Sequence, residues 1–192
     1  MKKLALSMLV AVAAFSANAN ASNLTLTQIM RADIEMSAAA AIHTNNVINW
    51  KVGEFQENDL SAVFGNMGTM KKVASAEEGN AIWIKSEVTG MMSQTVEELL
   101  DRADGHVIKY KENGQEKPLP TDKIEIISQD ATTVTVPAGT FECIHIVAKS
   151  EKIKSLEVWA NPRDITLDGS AKAVIDAGMI TVTVQLTKQG GR

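Results

Sequence analysis

The sequence predicts an α+β fold in which one N-terminal helix packs on a large, strongly curved antiparallel sheet, as in an open half-barrel. Three observations predict it. Residues 24–44 lack Gly and Pro and are rich in Ala, Met and Ile, which suits a helix interior. After Trp50 apolar and polar residues alternate, which indicates half-buried strands. Turn residues separate these strands at intervals of about 8–12 residues, which is typical of an antiparallel meander.

The predicted helix has one apolar face. Ile29, Ala32 and Met36 recur at spacings of three and four, and Ala39 and Ala40 extend the same face. A sheet of roughly ten strands normally curls, and its concave side is the surface that can cover this helix. We therefore expect the helix to lie across the concave side.

The clearest alternation lies at 82–89, where Ile82, Ile84 and Val88 alternate with more polar residues, and at 180–187, where every second residue is apolar. Further strands are predicted at 50–56, 60–64, 70–75, 107–112, 124–128, 132–136, 140–148 and 153–160. The spacing of Val96, Leu99, Leu100 and Ala103 fits a helix, but the segment 94–103 also leads into a hairpin turn at 104–105 and is predicted as a strand. The tail after Lys188 is expected to be frayed.

Residues 1–21 have the features of a cleaved secretory signal. Lys2 and Lys3 precede an apolar run at 4–15, and small residues at 17, 19 and 21 suit a signal peptidase. The run is shorter than the roughly 18–20 residues that a membrane-spanning helix needs. The only cysteine is Cys143, so no cysteine is placed to become a lipid-bearing N-terminus. We expect a periplasmic protein that is neither a lipoprotein nor membrane-spanning, with one α+β domain over 22–192.

The composition argues against a nucleic-acid-binding protein and against a disulfide-stabilised fold. The net charge is −4, and removing the two lysines of the signal leaves −6. With a pI near 5.4, the chain lacks the basic character of a nucleic-acid-binding protein. A single cysteine excludes an internal disulfide framework.

The chain holds no motif of the common hydrolases, metalloproteases or phosphate-binding loops. Cys143 and His145, two residues apart on a predicted strand, form the best candidate constellation. They could bind zinc or copper, or activate the thiol, but we favour a core cysteine beside a hydrogen-bonded histidine. We therefore predict no catalytic residue, no metal site and no cofactor, and a protein that is not an enzyme.

Two tryptophans lie on the more polar faces of their strands. Trp83 is flanked by Lys85 and Glu87, and Trp159 shares its face with Glu157. Such residues could form a surface for a protein partner. They could also rest on the helix or on a cross-strand neighbour, which we favour.

Several segments resemble periplasmic proteins of unknown function. These are Trp50-Lys51-Val52-Gly53-Glu54-Phe55, the hairpin 133–143 with its Val-Pro-Ala-Gly-Thr-Phe sequence, and 157–162 followed by Leu167-Asp168-Gly169. Their pattern resembles the domain-of-unknown-function 3108 group and, in fold, the periplasmic lipoprotein carriers. The resemblance implies an open β half-barrel with helices that plug an apolar cavity, and it brings no catalytic residues. The single helix here is fewer than a carrier usually has.

We predict a non-enzymatic protein that holds an apolar or lipid-like ligand between sheet and helix. A gap lined only by apolar groups stays dry and accepts such ligands. The predicted lining residues are Ile29, Met36, Trp50, Ile82, Ile84, Val182 and Val184. The alternative is a cell-envelope structural or interaction protein with a fully packed core, in which Trp83 and Trp159 contact an envelope protein.

Overall fold

A computed structural model describes residues 26–27, 29–36, 38, 48–119, 124–150, 153–176, 178 and 180–191. The predicted signal at 1–21 lies outside the described residues. So do the two ends of the predicted helix, including Ala39 and Ala40.

Eleven strands make up most of the described chain. They are β1 (Phe55–Ala62), β2 (Gly65–Glu78), β3 (Ala81–Gly90), β4 (Gln94–Asp101), β5 (Val107–Glu112), β6 (Gln115–Lys117), β7 (Glu125–Val136), β8 (Gly139–Lys149), β9 (Ser155–Ala160), β10 (Ser170–Asp176) and β11 (Thr181–Gly190). They form a single sheet in the order β6-β5-β4-β3-β2-β1-β11-β10-β9-β8-β7.

The two ends of the strand sequence meet in the middle of this sheet. β1 pairs antiparallel with β11, from Phe55 opposite Gly190 to Ala62 opposite Val182. Every other pair joins strands that are consecutive along the chain, as in a meander. β6 and β7 lie at opposite edges, and no described residues pair them, so the sheet is not closed. The predicted antiparallel, sheet-dominated fold is confirmed.

The sheet bends at the end that carries β7 and β8. The backbone amide of Ala138, at the tip of the β7–β8 hairpin, donates a hydrogen bond to the carbonyl of Leu186 on β11 (3.1 Å). In the sheet order, β9 and β10 lie between β8 and β11. Because adjacent strands are about 4.8 Å apart, a flat sheet would not allow this contact.

Some strand predictions were wrong in their boundaries. The predicted strands at 50–56 and 60–64 both overlap one strand, β1, and residues 50–54 and 63–64 lie outside it. The inward-facing Gln56 and Asn58 of β1 interrupt the apolar pattern. Those at 124–128 and 132–136 are also one strand, β7, with an irregularity between Ile126 and Ser128. β6 and β10 were not predicted. The buried face of β10 begins with two alanines, which give only a weak apolar signal.

Two other predictions concern the segments at 94–103 and after Lys188. The first contains β4, as predicted. The second was wrong, because β11 continues to Gly190, which pairs with Phe55. A Cβ at position 190 would come within 2.8 Å of the Phe55 ring, so glycine lets these two strands approach.

The described part of the predicted helix, residues 26–27, 29–36 and 38, is helical. Its described side chains are buried on every side except at Glu35, which is half-buried. The single apolar face was therefore an incomplete prediction, because Arg31 and Asp33 are buried as well. The apolar helix residues share one core with the inner face of the sheet. This packing places charged helix side chains directly over the sheet.

Candidate functional site

The seven predicted lining residues come together in one buried core. Ile29 and Met36 come from the helix and Trp50 from the segment before β1; the other four lie on β3 and β11. Each is at most 3% exposed. Ligand binding by these residues stays a prediction.

A buried ion cluster lies on the same inner face. Lys72 on β2 is 1% exposed, and its Nζ donates to Asp33 Oδ2 on the helix at 2.8 Å. The same amine donates to the carboxylate of Asp168, which follows β9. Two carboxylates from different parts of the chain therefore share one ammonium group.

The loop between β9 and β10 is fixed so that Asp168 points at Lys72. Gln56 Nε2 donates to the carbonyl of Thr166 (2.6 Å) and to Asp168 Oδ1 (2.7 Å). The Ser170 amide also donates to Asp168 Oδ1, at 2.8 Å. At Gly169 the backbone has a positive φ of +73°, and a Cβ would lie 2.4 Å from the Pro162 nitrogen. Only glycine lets the loop pack this closely.

Burial and neighbouring charges shift the pKa values of Lys72 and Asp33 for different reasons. Burial alone would lower the pKa of Lys72, but Asp168 and then Asp33 outweigh burial and raise it. Burial raises the pKa of Asp33; Lys72 opposes that rise and Asp168 adds to it. The ammonium is thus held charged, while the helix carboxylate carries an electrostatic penalty.

A second cluster of charged side chains joins the helix to β4. Arg31 Nε lies 3.4 Å from Glu98 Oε1, and Arg31 also pairs with Glu35 on its own helix at 2.7 Å. The guanidinium lies over the ring of Tyr110, 5.4 Å from its centroid. Burial raises the pKa of Glu98 to about 8, with a further contribution from Glu35, while Arg31 acts in the opposite direction.

Polar groups without hydrogen-bond partners surround Lys72. Gln56 on β1 and Ser86 on β3 lie directly opposite Lys72 on either side. Ser86 Oγ and Gln56 Oε1 have no hydrogen-bond partner, nor does Nδ2 of Asn58, two residues along β1. All three side chains are at most 2% exposed. An unpartnered buried polar group is costly and calls for an explanation.

Sequence reasoning missed both ionic groups. One signal was present, because Lys72 falls between Met70 and Ala74 at the positions that face inward in the predicted strand 70–75. A lysine on the apolar face of a strand is unusual unless it is paired. Nothing in the sequence pointed to Asp33 or Asp168 as the partners.

Cys143 and His145 make separate contacts. Cys143 is a free cysteine at 5% exposure, and burial raises the pKa of its thiol to about 11. His145 Nε2 lies 3.0 Å from Glu157 Oε2, and its ring stacks on Trp159 with centroids 4.3 Å apart. Within the described ranges no three His, Cys, Asp or Glu side chains are grouped to hold a metal ion. Cys143 is thus a buried cysteine and His145 a hydrogen-bonded histidine, and the absence of a metal or catalytic role for them stays a prediction.

The two tryptophans are half-buried, and lysines lie over their rings. Lys111 Nζ is 4.3 Å from the Trp83 centroid, and Trp83 Nε1 donates to Glu78. Lys172 Nζ is 4.8 Å from the Trp159 centroid. A partner surface at Trp83 and Trp159 stays a prediction.

An open cleft of 420 Å³ lies elsewhere, beside Cys143. It is lined by residues of β7 and β8 and by 160–164, and it contains none of the seven predicted lining residues. Among the described residues, no helix is both long and apolar enough to cross a membrane.

No family model matches this chain, and no curated protein matches it. The resemblance to the domain-of-unknown-function 3108 group therefore stays a prediction. Crystal structures similar to this chain include the following two. One, from Bacteroides fragilis, is of a protein described as exported with a YmcC-like fold, at 12% identity and a TM-score of 0.42, covering 76% of this chain and 99% of the other. The second is MucB, at 11% identity and a TM-score of 0.40, covering 83% of this chain and 58% of MucB. Neither likeness assigns a function to this chain.

Proposed function

We propose that this chain is a non-enzymatic periplasmic protein that binds or carries an apolar or lipid-like ligand on the concave face of a half-barrel-like sheet. The ligand would lie between the sheet and the N-terminal helix, and the helix would have to move off the sheet because it fills that space in this structure. One observation carries the proposal: a separate helix covers an apolar inner face to which β3, β4 and β11 all contribute. The periplasmic location rests on the predicted signal at 1–21.

The helix would act as a displaceable plug that apolar packing and polar side-chain contacts hold on the sheet. The polar contacts are Asp33 with Lys72, Arg31 with Glu98, and the Gln94 Nε2 donor with Thr27 Oγ1 at 3.0 Å. A single helix shorter than about 12–15 residues is marginal by itself in water. An apolar chain that replaced it would regain about 0.8 kcal/mol for each buried methylene.

The test is binding of the neutral apolar dye N-phenylnaphthylamine by the purified protein, with native mass spectrometry before and after solvent extraction. Met36→Ala weakens the plug and leaves the sheet intact, so it should bind the dye more tightly than wild type. The matched control is Val63→Ala, at a side chain that is 95% exposed. Absence of dye binding in both wild type and a folded Met36→Ala protein, with no extractable mass, would contradict the proposal.

A second candidate is an envelope interaction protein with a fully packed core. The tight packing of the seven predicted lining residues, each at most 3% exposed, favours it. Replacing Trp83 and Trp159 with Ala should then remove a captured envelope partner and leave dye binding absent throughout. Retention of the partner by the double variant would contradict this candidate.

A further inference from the structure

We propose that the ligand is an anionic amphiphile whose charged head binds Lys72 in the position that Asp33 of the helix occupies here. This inference rests on the proposed function and names the ligand class. It makes Asp33 an internal substitute for the head group, so that the plug and the ligand compete for one ammonium group.

The first support is the charge arrangement around Lys72. Asp168 is fixed by Gln56 Nε2 and the Ser170 amide, so it stays beside Lys72 whether or not the helix is present. Asp33 is the second carboxylate and comes from the element that would leave. The site already accommodates one carboxylate besides Asp168, that of Asp33. An anionic ligand head would replace this carboxylate when the helix leaves.

The second support is an excess of hydrogen-bonding groups. Asp33 leaves Ser86 Oγ and Asn58 Nδ2 without partners, although both side chains are at most 2% exposed. Ser86 lies directly opposite Lys72, and Asn58 lies on the next strand on the other side. A carboxylate or phosphate head has oxygens that could accept from these donors as well as from the ammonium.

The third support is the surrounding apolar surface. Met70 and Ala74 flank Lys72 along β2, and Ile84 and Val88 flank Ser86 along β3. All four belong to the main core. Once the helix has moved off the sheet, a charged head at Lys72 would therefore have apolar surface for its chain on the same face.

The test compares palmitate and hexadecyl phosphate with hexadecanol, which has the same chain and no charge. Each displaces N-phenylnaphthylamine from the purified wild-type protein at neutral pH. We expect both anions to bind about tenfold more tightly than the alcohol, as a charge-assisted hydrogen bond implies. The stronger of the two anions identifies the head as carboxylate or phosphate.

Three variants and one control variant, Lys71→Met, locate the effect. Lys72→Met should reduce the anion-to-alcohol affinity ratio to about one, whereas Lys71→Met, on the adjacent exposed residue, should leave it unchanged. Ser86→Ala removes an unpartnered hydroxyl, so it should fold normally and lower the ratio about threefold. Asp33→Asn weakens the plug and should tighten binding of all three compounds.

The outcomes are distinguishable. If all three compounds bind equally to wild type, or if Ser86→Ala and Lys72→Met keep the wild-type ratio, the head-group site is wrong while the apolar carrier stands. If none of them binds, the proposed function is wrong and this inference is wrong with it. The affinity ratio of Lys72→Met is interpreted only if the circular dichroism of this variant matches wild type. If it does not match, the ratio of Ser86→Ala alone decides the outcome.

Discussion

The ammonium of Lys72 on β2 lies 2.8 Å from the carboxylate of Asp33 on the helix, with both side chains at most 1% exposed. This ion pair joins the only described helix to the middle of the sheet. The second carboxylate bound by Lys72 is that of Asp168, in a loop 96 residues further along the chain. The Lys72 side chain therefore joins three separate parts of the chain: the helix, β2 and the loop between β9 and β10.

Replacing Lys72 with Met should destabilise the protein far more than replacing Asp33 with Asn. Lys72→Met leaves two carboxylates buried without a counterion, which costs about 3–5 kcal/mol. Asp33→Asn keeps the pair of Lys72 with Asp168 and should cost about 1 kcal/mol. Urea unfolding followed by circular dichroism measures both, with Lys71→Met as the control. Equal losses for the two variants would contradict a shared ammonium.

Glu98→Gln should flatten the dependence of stability on pH. Burial raises the pKa of Glu98 from 4.5 to about 8, so between these values the folded state binds more protons than the unfolded state. The free energy of unfolding therefore falls as pH rises through this window, by up to about 1.4 kcal/mol per pH unit from this group. The glutamine variant lacks that loss and should be the more stable protein above about pH 8. Parallel wild-type and variant curves, measured by urea unfolding across the window, would show that Glu98 does not titrate there.

Cys143 should react very slowly with iodoacetamide in the native protein. The thiol is 5% exposed and burial raises its pKa to about 11, so the reactive thiolate is scarce at neutral pH. Mass spectrometry of alkylated protein gives the rate, and protein in urea supplies the reference for an accessible thiol. A native rate close to the urea rate would mean that the thiol is accessible.

Gly68→Ala should destabilise the protein much more than Gly65→Ala. Both glycines have positive φ values, +137° and +117°, but a Cβ at 68 would lie 2.1 Å from the Thr89 carbonyl oxygen, whereas a Cβ at 65 would meet nothing within 4 Å. We expect about 1–2 kcal/mol for Gly65→Ala from backbone strain alone. Gly68→Ala should lose at least twice as much, because β2 and β3 must separate. Thermal and urea unfolding of both variants test this, and equal losses would argue against close contact of the two strands at this point.

Ile82→Ala should cost about 2–5 kcal/mol, because its side chain is fully buried between sheet and helix. Val63→Ala, at the exposed turn between β1 and β2, should change stability by less than about 0.5 kcal/mol. The difference in urea midpoint between these variants measures how tightly the inner face is packed. A loss for Ile82→Ala as small as for Val63→Ala would indicate a loosely filled interior.

The strands with regular alternation could be predicted from sequence, and their alternation gives the physical reason. Apart from Ser86, the residues at 82–89 and 180–187 repeat with a period of two; 82–89 lie in β3 and 181–187 in β11. Prediction was wrong at the boundaries of β1, because the inward-facing Asn58 lies in the gap between the predicted strands at 50–56 and 60–64 and breaks the apolar alternation. β10 was not predicted, because its buried face begins with two alanines, which give only a weak apolar signal.

The sequence by itself determined the antiparallel strand class, the low aromatic content, the single cysteine and the apolar residues that form the core. These depend on composition and on short-range periodicity. Only the tertiary structure decided that β1 and β11 meet at the centre of the sheet, and that Asp33, Lys72 and Asp168 converge. Both relationships join residues that are far apart along the chain. Local patterns carry no information about which distant carboxylate neutralises a buried lysine, because desolvation and charge pairing arise only when the chain has folded.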